Sequence, residues 1–420
     1  MAFEIRQVRA LEVLDSRGRP TLNVALQLAD GTRAEAGVPS GASTGTREAV
    51  ELRDGDPARF GGAGVLTAVG NVDGELNAAL AGRGWNDLAE VDQAMRDLDG
   101  TPNKARLGAN AIIGTSMALA RALAASAGRP LYEWLPGVGR PARLPVPCFN
   151  VLNGGAHAPN PLDFQEFMVC PLGAPSMAEA VRAGAEVYQA LRNRLAAGGH
   201  ATGLGDEGGF APNMAEPEEV LELIVAAIRD AGYPLGAEGV GTALDPAASE
   251  FWTTEGYRVN GLLLSSAELI ARYGELLDRF PIWSIEDGLG EQDPAGWKQL
   301  TEALGERVQL VGDDNFCTNP AIIAAAIDDG IANAALIKVN QIGTVTETLE
   351  AMRICQRAGY GQMVSHRSGE TPDSFIADLA VATGCGQLKT GAPARGERIA
   401  KYNRLLRIAA ERPDLPYGLA

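Results

Sequence analysis

The sequence predicts an α/β protein in two parts: a small N-terminal α+β domain over residues 1–137, then a (β/α)8 barrel over residues 138–420. Three observations lead there. In the opening third, strand-like segments come first and helical ones after them, the order of an α+β unit. The segment 136–147 is rich in Pro, Gly and Arg and marks a boundary. Beyond it, eight short strands alternate with long helices over about 270 residues, the size of a closed barrel.

The elements follow in order. Strand-like stretches at 5–14 and 22–28 flank the turn Asp15-Ser16-Arg17-Gly18, and Asp30-Gly31 reads as a hairpin turn into a third strand ending near Val38. Helical periodicity covers 66–81, 87–98 and 109–126. Barrel strands are expected at 148–152, 165–169, 240–245, 282–286, 309–313, 335–339, 363–365 and 386–389. Helices lie between most of them, including 177–197, 216–231, 265–280 and 344–358. A polar loop separates the first two barrel strands, so the first crossing is expected to be irregular.

Composition narrows the function. The chain has 420 residues, 46% of them hydrophobic and 21% charged, enough for a large core without disulfides. With 36 basic and 53 acidic side chains the net charge is −17, so no nucleic-acid partner is expected. The five cysteines, Cys148, Cys170, Cys317, Cys355 and Cys385, are odd in number and scattered, which fits reduced thiols in a cytoplasmic protein. The N-terminus carries acid and lacks the apolar stretch of a signal peptide. The longest apolar run, 110–128, is broken by Arg121 and is too short for a membrane span.

The chemistry lies at the strand ends. In a barrel, catalytic groups project from the C-terminal ends of the strands. Asp245, Glu286, Asp313, Lys338, His366 and Lys389 each end an expected strand, roughly one strand–helix repeat apart. A single such charge is explained by a strand meeting solvent. Three acids followed by three bases, all aimed at one mouth, are not. Asp245, Glu286 and Asp313 are read as a Mg²⁺ site, because hard carboxylate oxygens suit that ion. Lys338 is the candidate base, its charged form disfavoured by a nearby cation and a second lysine.

Glu207, in the glycine-flanked Gly205-Asp206-Glu207-Gly208-Gly209, is a candidate proton donor, with Glu166 in support. Arg367 and Ser368 favour a phosphate, helped by a helix start that Thr371-Pro372 suggests just beyond them. His157 and His366 fall in motif-like segments, whereas His200 has no functional case. Gly41-Ala42-Ser43-Thr44-Gly45 fits a serine-nucleophile pattern, but it follows a short hairpin, so a mobile loop is the better reading.

These residues resemble the enolase family along nearly the whole chain. The matching segments include Asp15-Ser16-Arg17-Gly18, 39–45, 51–56, 107–112, Asn153-Gly154-Gly155, Gly205–Gly209, Ser284-Ile285-Glu286-Asp287, 365–371 and Lys401-Tyr402-Asn403. The resemblance implies an enolase-type barrel, two Mg²⁺ ions per site, and a homodimer or homo-octamer. It implies that Lys338 removes the C2 proton of 2-phosphoglycerate while Glu207, partnered by Glu166, assists loss of the 3-hydroxyl. Asp245, Glu286 and Asp313 would bind the first Mg²⁺, and Ser43 would reach the second. His157, Arg367, Ser368 and Lys389 would contact this small phosphorylated carboxylate. Lysine-plus-Mg²⁺ stabilisation of an enediolate is a pattern for which enolase-superfamily sites are themselves the reference case.

Some positions depart from the family's usual pattern: Arg19, Ala156, the two-proline loop 159–164, Trp283, Asn315 and Cys317. They leave open a specialised relative that forms carboxyphosphonoenolpyruvate in phosphonate biosynthesis. A catalytically silent binding relative is a further alternative, against which the intact acids and Lys338 argue.

Overall fold

The computed structural model describes residues 2–42 and 44–419. In the N-terminal part, β1 (Phe3–Leu14), β2 (Pro20–Leu28), β3 (Arg33–Gly37) and β4 (Gly84–Trp85) form one sheet in the order β3-β2-β1-β4. The turn between β1 and β2 is built by Asp15, whose Oδ1 accepts from the backbone N–H of Arg17 (2.8 Å) and of Arg19 (2.9 Å). The Asp30-Gly31 turn links β2 to β3, with Gly31 at φ 92°.

β2 alternates buried and half-buried residues, and the helix Ala109–Ser126 lies on its buried face. Gly114 sets that approach, because a Cβ there would meet Val24 Cγ2 at 2.5 Å. The apolar run expected not to span a membrane is therefore a core helix. No helix among the described residues is long and apolar enough to cross one. The expected helix 66–81 holds a π-turn at Val72–Leu76 between two α-helical segments. Its Asp73 and Asn77 side chains accept from the N–H groups of Ala10 and Val8 on β1.

After an irregular stretch, β5 (Val146–Asn153), β6 (Glu166–Cys170) and β7 (Gly241–Asp245) begin the barrel. A small sheet not expected from the sequence follows: β8 (Trp252–Thr253), β9 (Gly256–Val259) and β10 (Leu262–Leu264). The barrel continues with β11 (Ile282–Glu286), β12 (Gln309–Gly312), β13 (Ala334–Ile337), β14 (Gly361–Ser365) and β15 (Gln387–Lys389), and closes in the order β11-β12-β13-β14-β15-β5-β6-β7.

The first crossing is irregular in a specific way. β6 runs antiparallel to both β5 and β7, while the other neighbours are parallel. Glu166 therefore starts β6, yet it pairs with Asn153 and Asp245 at the C-terminal ends of β5 and β7. Reversing the strand brings its first residue to the mouth where the other strands end.

One expectation is corrected. Thr371-Pro372 does not open the next helix, which runs Phe375–Thr383 behind Ser374. The intervening Asp373 is pinned to the small domain: it accepts from the Gly37 N–H at 2.9 Å and pairs with Arg121. That tether keeps the chain out of helical geometry until Phe375. All five cysteines are buried and unpaired, as expected.

Candidate active site

Asp245, Glu286 and Lys389 are the last residues of β7, β11 and β15, and Asp313, Lys338 and His366 lie one residue past β12, β13 and β14. All six are buried. Five of them line a single pocket with His157, Glu166, Glu207, Arg367 and Ser368, and Glu286 joins them through Lys389. The convergence expected at one barrel mouth is present. Ser43 lies outside the described residues.

Charge pairing organises the pocket floor. Lys389 Nζ donates to Asp245 Oδ2 (2.9 Å) and Glu286 Oε1 (2.7 Å), and lies 3.2 Å from Glu166 Oε1. Burial opposes the Lys389 ammonium, but these acids outweigh it and hold its pKa well above the ordinary lysine range. Burial raises the Glu286 carboxyl, and the neighbouring Asp245 pushes it the same way.

Asp313 is turned the other way, where its Oδ2 takes Lys338 Nζ and its Oδ1 accepts from Gln341 Nε2 at 2.8 Å. Burial works against both ions, yet their contact keeps Asp313 low and pushes Lys338 above its usual value. Asp313 is near enough to outweigh Lys389.

Asp287, a neighbour the sequence reading passed over, sits at φ 41°. Its carboxylate accepts the N–H groups of Asp313 (2.8 Å) and Asp314 (3.0 Å), which fixes the loop carrying Asp313.

On the opposite wall, Glu207 Oε2 accepts from Asn150 Nδ2 at 3.0 Å and lies 3.0 Å from His366 Nε2. His157 Nδ1 stands between two acids, 3.7 Å from Glu166 Oε1 and 3.8 Å from Glu207 Oε1. Burial raises Glu166, reinforced by the Glu207 charge, whereas the two histidines overcome burial at Glu207 and hold it low. Burial pushes His366 down to about 3, so its ring is neutral at pH 7.

Its tautomer follows from Arg398, a fully buried residue missed in the sequence. Arg398 Nη1 lies 2.5 Å from His366 Nδ1, and a guanidinium can only donate. Nδ1 therefore accepts, and the ring proton sits on Nε2, facing Glu207. The same guanidinium donates to the carbonyls of Arg367 and Ser368, both at 2.6 Å.

Arg367 is held by Glu48 of the small domain, with Nη1 to Oε2 at 2.9 Å and Nη2 to Oε1 at 3.1 Å. Ser368 Oγ accepts from Arg17 Nη1 at 3.3 Å, so the Asp15–Arg17 turn reaches across the domain junction. No signal in the sequence singled out Glu48 or Arg398. The departing residues divide by position. Arg19 and Ala156 face solvent, and Trp283 lies near the start of β11, away from the mouth. Asn315 and Cys317 lie against the glycine-rich segment, where Arg47 Nη2 donates to Asn315 O at 2.6 Å and a Cβ on Gly45 would meet Cys317 Sγ at 2.6 Å, and the loop 159–164 leads straight into Gln165 and Glu166 of the pocket.

The donor set fits a divalent cation. Glu166 Oε2 and Glu286 Oε2 are buried without a hydrogen-bond partner among the described residues. Two close groups, His157–Glu166–Glu207 and Asp287–Asp313–Asp314, could each hold a metal. Seven buried carboxyls (Glu166, Glu207, Asp245, Glu286, Asp287, Asp313 and Asp314) surround the two ammoniums, an excess that a cation would offset.

Fold and site together define a two-domain barrel enzyme with a charged, acid-rich mouth. Comparison with known proteins supplies the family. Residues 5–135 match the model of the enolase N-terminal domain, and residues 141–415 match that of the enolase C-terminal TIM barrel domain. A protein named Enolase from Rubrobacter xylanophilus is 57% identical over 407 residues, covering 96% of this chain and 94% of that relative. The chain belongs to the enolase family, and it is a lyase.

Proposed function

We propose that this protein dehydrates 2-phosphoglycerate to phosphoenolpyruvate through an enediolate. The observation that carries the reading is the meeting of Lys338, Glu207, Lys389 and Arg367 in one pocket of a chain this similar to an enolase. Lys338 removes the C2 proton, and Glu207 protonates the departing 3-hydroxyl from the other wall. Lys338 accepts a proton only as the neutral amine, so its ammonium must first release one to solvent; Mg²⁺ held by Asp313 would remove the carboxylate contact that favours the ammonium. Glu207 must carry a proton for the 3-hydroxyl to leave as water, and His157, lying between Glu207 and Glu166, suits its delivery from that neighbour.

Lys389 engages the substrate carboxylate, and Arg367 with Ser368 the phosphate, beside His157 and His366. Bound Mg²⁺, on Asp245, Glu286 and Asp313 with a second ion reached by Ser43, supplies the positive charge that makes the C2 proton removable. We assign the domain boundary near residue 137, and the protein to the cytoplasm as a homodimer or homo-octamer. No observation favours the phosphonate alternative or the catalytically silent one.

The test is phosphoenolpyruvate absorbance with purified protein, Mg²⁺ and 2-phosphoglycerate. Turnover on the order of 10 s⁻¹, common for enzymes, supports the reading. Turnover orders of magnitude lower would reject 2-phosphoglycerate as the substrate.

A further inference from the structure

We propose that Glu48, in the small domain, is a positioning residue that sets Arg367 for the substrate phosphate. The inference rests on the dehydratase reading above. Arg367 lies between two spaces: it lines the catalytic pocket on one side and, with Glu48, a cavity of about 250 Å³ on the small-domain side. Glu48 grips the guanidinium from that side with both carboxylate oxygens, at 2.9 and 3.1 Å, in the paired geometry that fixes an arginine's plane as well as its charge. Asn340 Oδ1 accepts a third bond from Nη1 at 3.1 Å.

Glu48 is itself tightly placed. Its N–H donates to Gly45 O at 3.1 Å while its Oε1 accepts from Gly45 N at 3.2 Å, a reciprocal turn that closes the glycine-rich segment. Its neighbour Ala49 donates its N–H to Gln341 O at 2.8 Å, which docks the turn on the barrel independently of the carboxylate.

The same oxygen that holds Arg367 also accepts from Gln341 Nε2 at 3.2 Å, and that amide donates to Asp313 Oδ1 at 2.8 Å. Thr318 completes the chain. Its hydroxyl donates to Gln341 Oε1 at 2.7 Å and accepts from the Lys338 N–H at 2.9 Å. One small-domain carboxylate thus aligns the phosphate-binding arginine with the strand ends bearing Asp313 and Lys338.

The experiment compares wild type, Glu48→Gln and Glu48→Asp in steady-state assays with 2-phosphoglycerate, alongside thermal melts. The Gln variant keeps the shape and the backbone docking but loses the charge and one acceptor. It should raise KM about tenfold or more while kcat stays within about threefold, the signature of lost binding and not of lost chemistry. Asp, which keeps the charge on a shorter arm, should fall between Gln and wild type, with a KM at least about threefold above wild type. A structural role alone would instead lower the melting temperature and the active fraction without moving KM. A Gln variant with wild-type KM, or one that loses kcat at constant KM, overturns the proposal. If Gln fails to fold, the Asp variant decides by the same threefold criterion. An inactive wild type would reject the dehydratase reading itself, a separate outcome.

Discussion

Arg398 offers the sharpest test of how the Arg367 side of the pocket is built. Replacing it with Met keeps most of the apolar stem but removes the donors to Arg367 O and His366 Nδ1 and leaves Ser368 O only the long 3.4 Å bond from Ser16 Oγ. All three lie in buried residues. At about 1–3 kcal/mol for each buried acceptor left unpaired, and with partial relief by relaxation, the loss should be roughly 3–5 kcal/mol. It would appear as a lower midpoint in urea unfolding followed by circular dichroism. Activity should fall further than stability explains, because the imidazole loses the contact that fixes its tautomer and because residues 366–368 lose their common anchor. Arg398→Lys should recover only part of both, since one ammonium cannot reach two carbonyls and a ring nitrogen in the same plane. A Met variant within about 1 kcal/mol of wild type and with unchanged kcat would refute this reasoning.

Two further outcomes are expected. EDTA should stop turnover and added Mg²⁺ restore it, as followed by phosphoenolpyruvate absorbance; activity indifferent to the chelator would contradict the carboxylate assignment. Asp92 gives a pH signature at the domain junction. Burial pushes its carboxyl from 3.8 up to about 6, although Thr346 donates to it from Oγ1 (2.6 Å) and N (3.0 Å). A folded-state value above the unfolded one means that this group favours folding below pH about 4, and that the benefit fades as pH rises through 6, by roughly 3 kcal/mol at most. Asp92→Asn cannot titrate, so its stability relative to wild type should climb between pH 4 and 7 in parallel unfolding curves. A flat difference across that range would show that Asp92 ionises without cost.

Much of this architecture could be read from residue patterns. The helix Ala109–Ser126, the helix Met177–Ala197 and β11 fall where periodicity and strand-end motifs put them. Charges at strand ends were legible because barrel geometry sends those ends to one mouth. What stayed hidden depends on contacts between distant segments. The reversed direction of β6 cannot be seen in one acid followed by four apolar residues, so Glu166 reaches the mouth by a route that strand counting does not reveal.

Arg398 sits on an amphipathic helix where an arginine looks like surface charge, and only the folded loop at 366–368 gives it a role. Glu48 follows a glycine-rich segment that reads as a mobile loop, and its partner Arg367 is 319 residues away. Thr371-Pro372 carries the local chemistry of a helix start, but the tertiary tether at Asp373 overrides it.

The most direct measurement follows deuterium entering C2 of 2-phosphoglycerate by NMR, in D2O with Mg²⁺, for wild type and Lys338→Ala. The proposed function makes the Lys338 amine the group that takes this proton. Wild type should therefore exchange it, and the alanine variant should leave it in place while remaining folded. Exchange at a near wild-type rate without the Lys338 side chain would contradict the account.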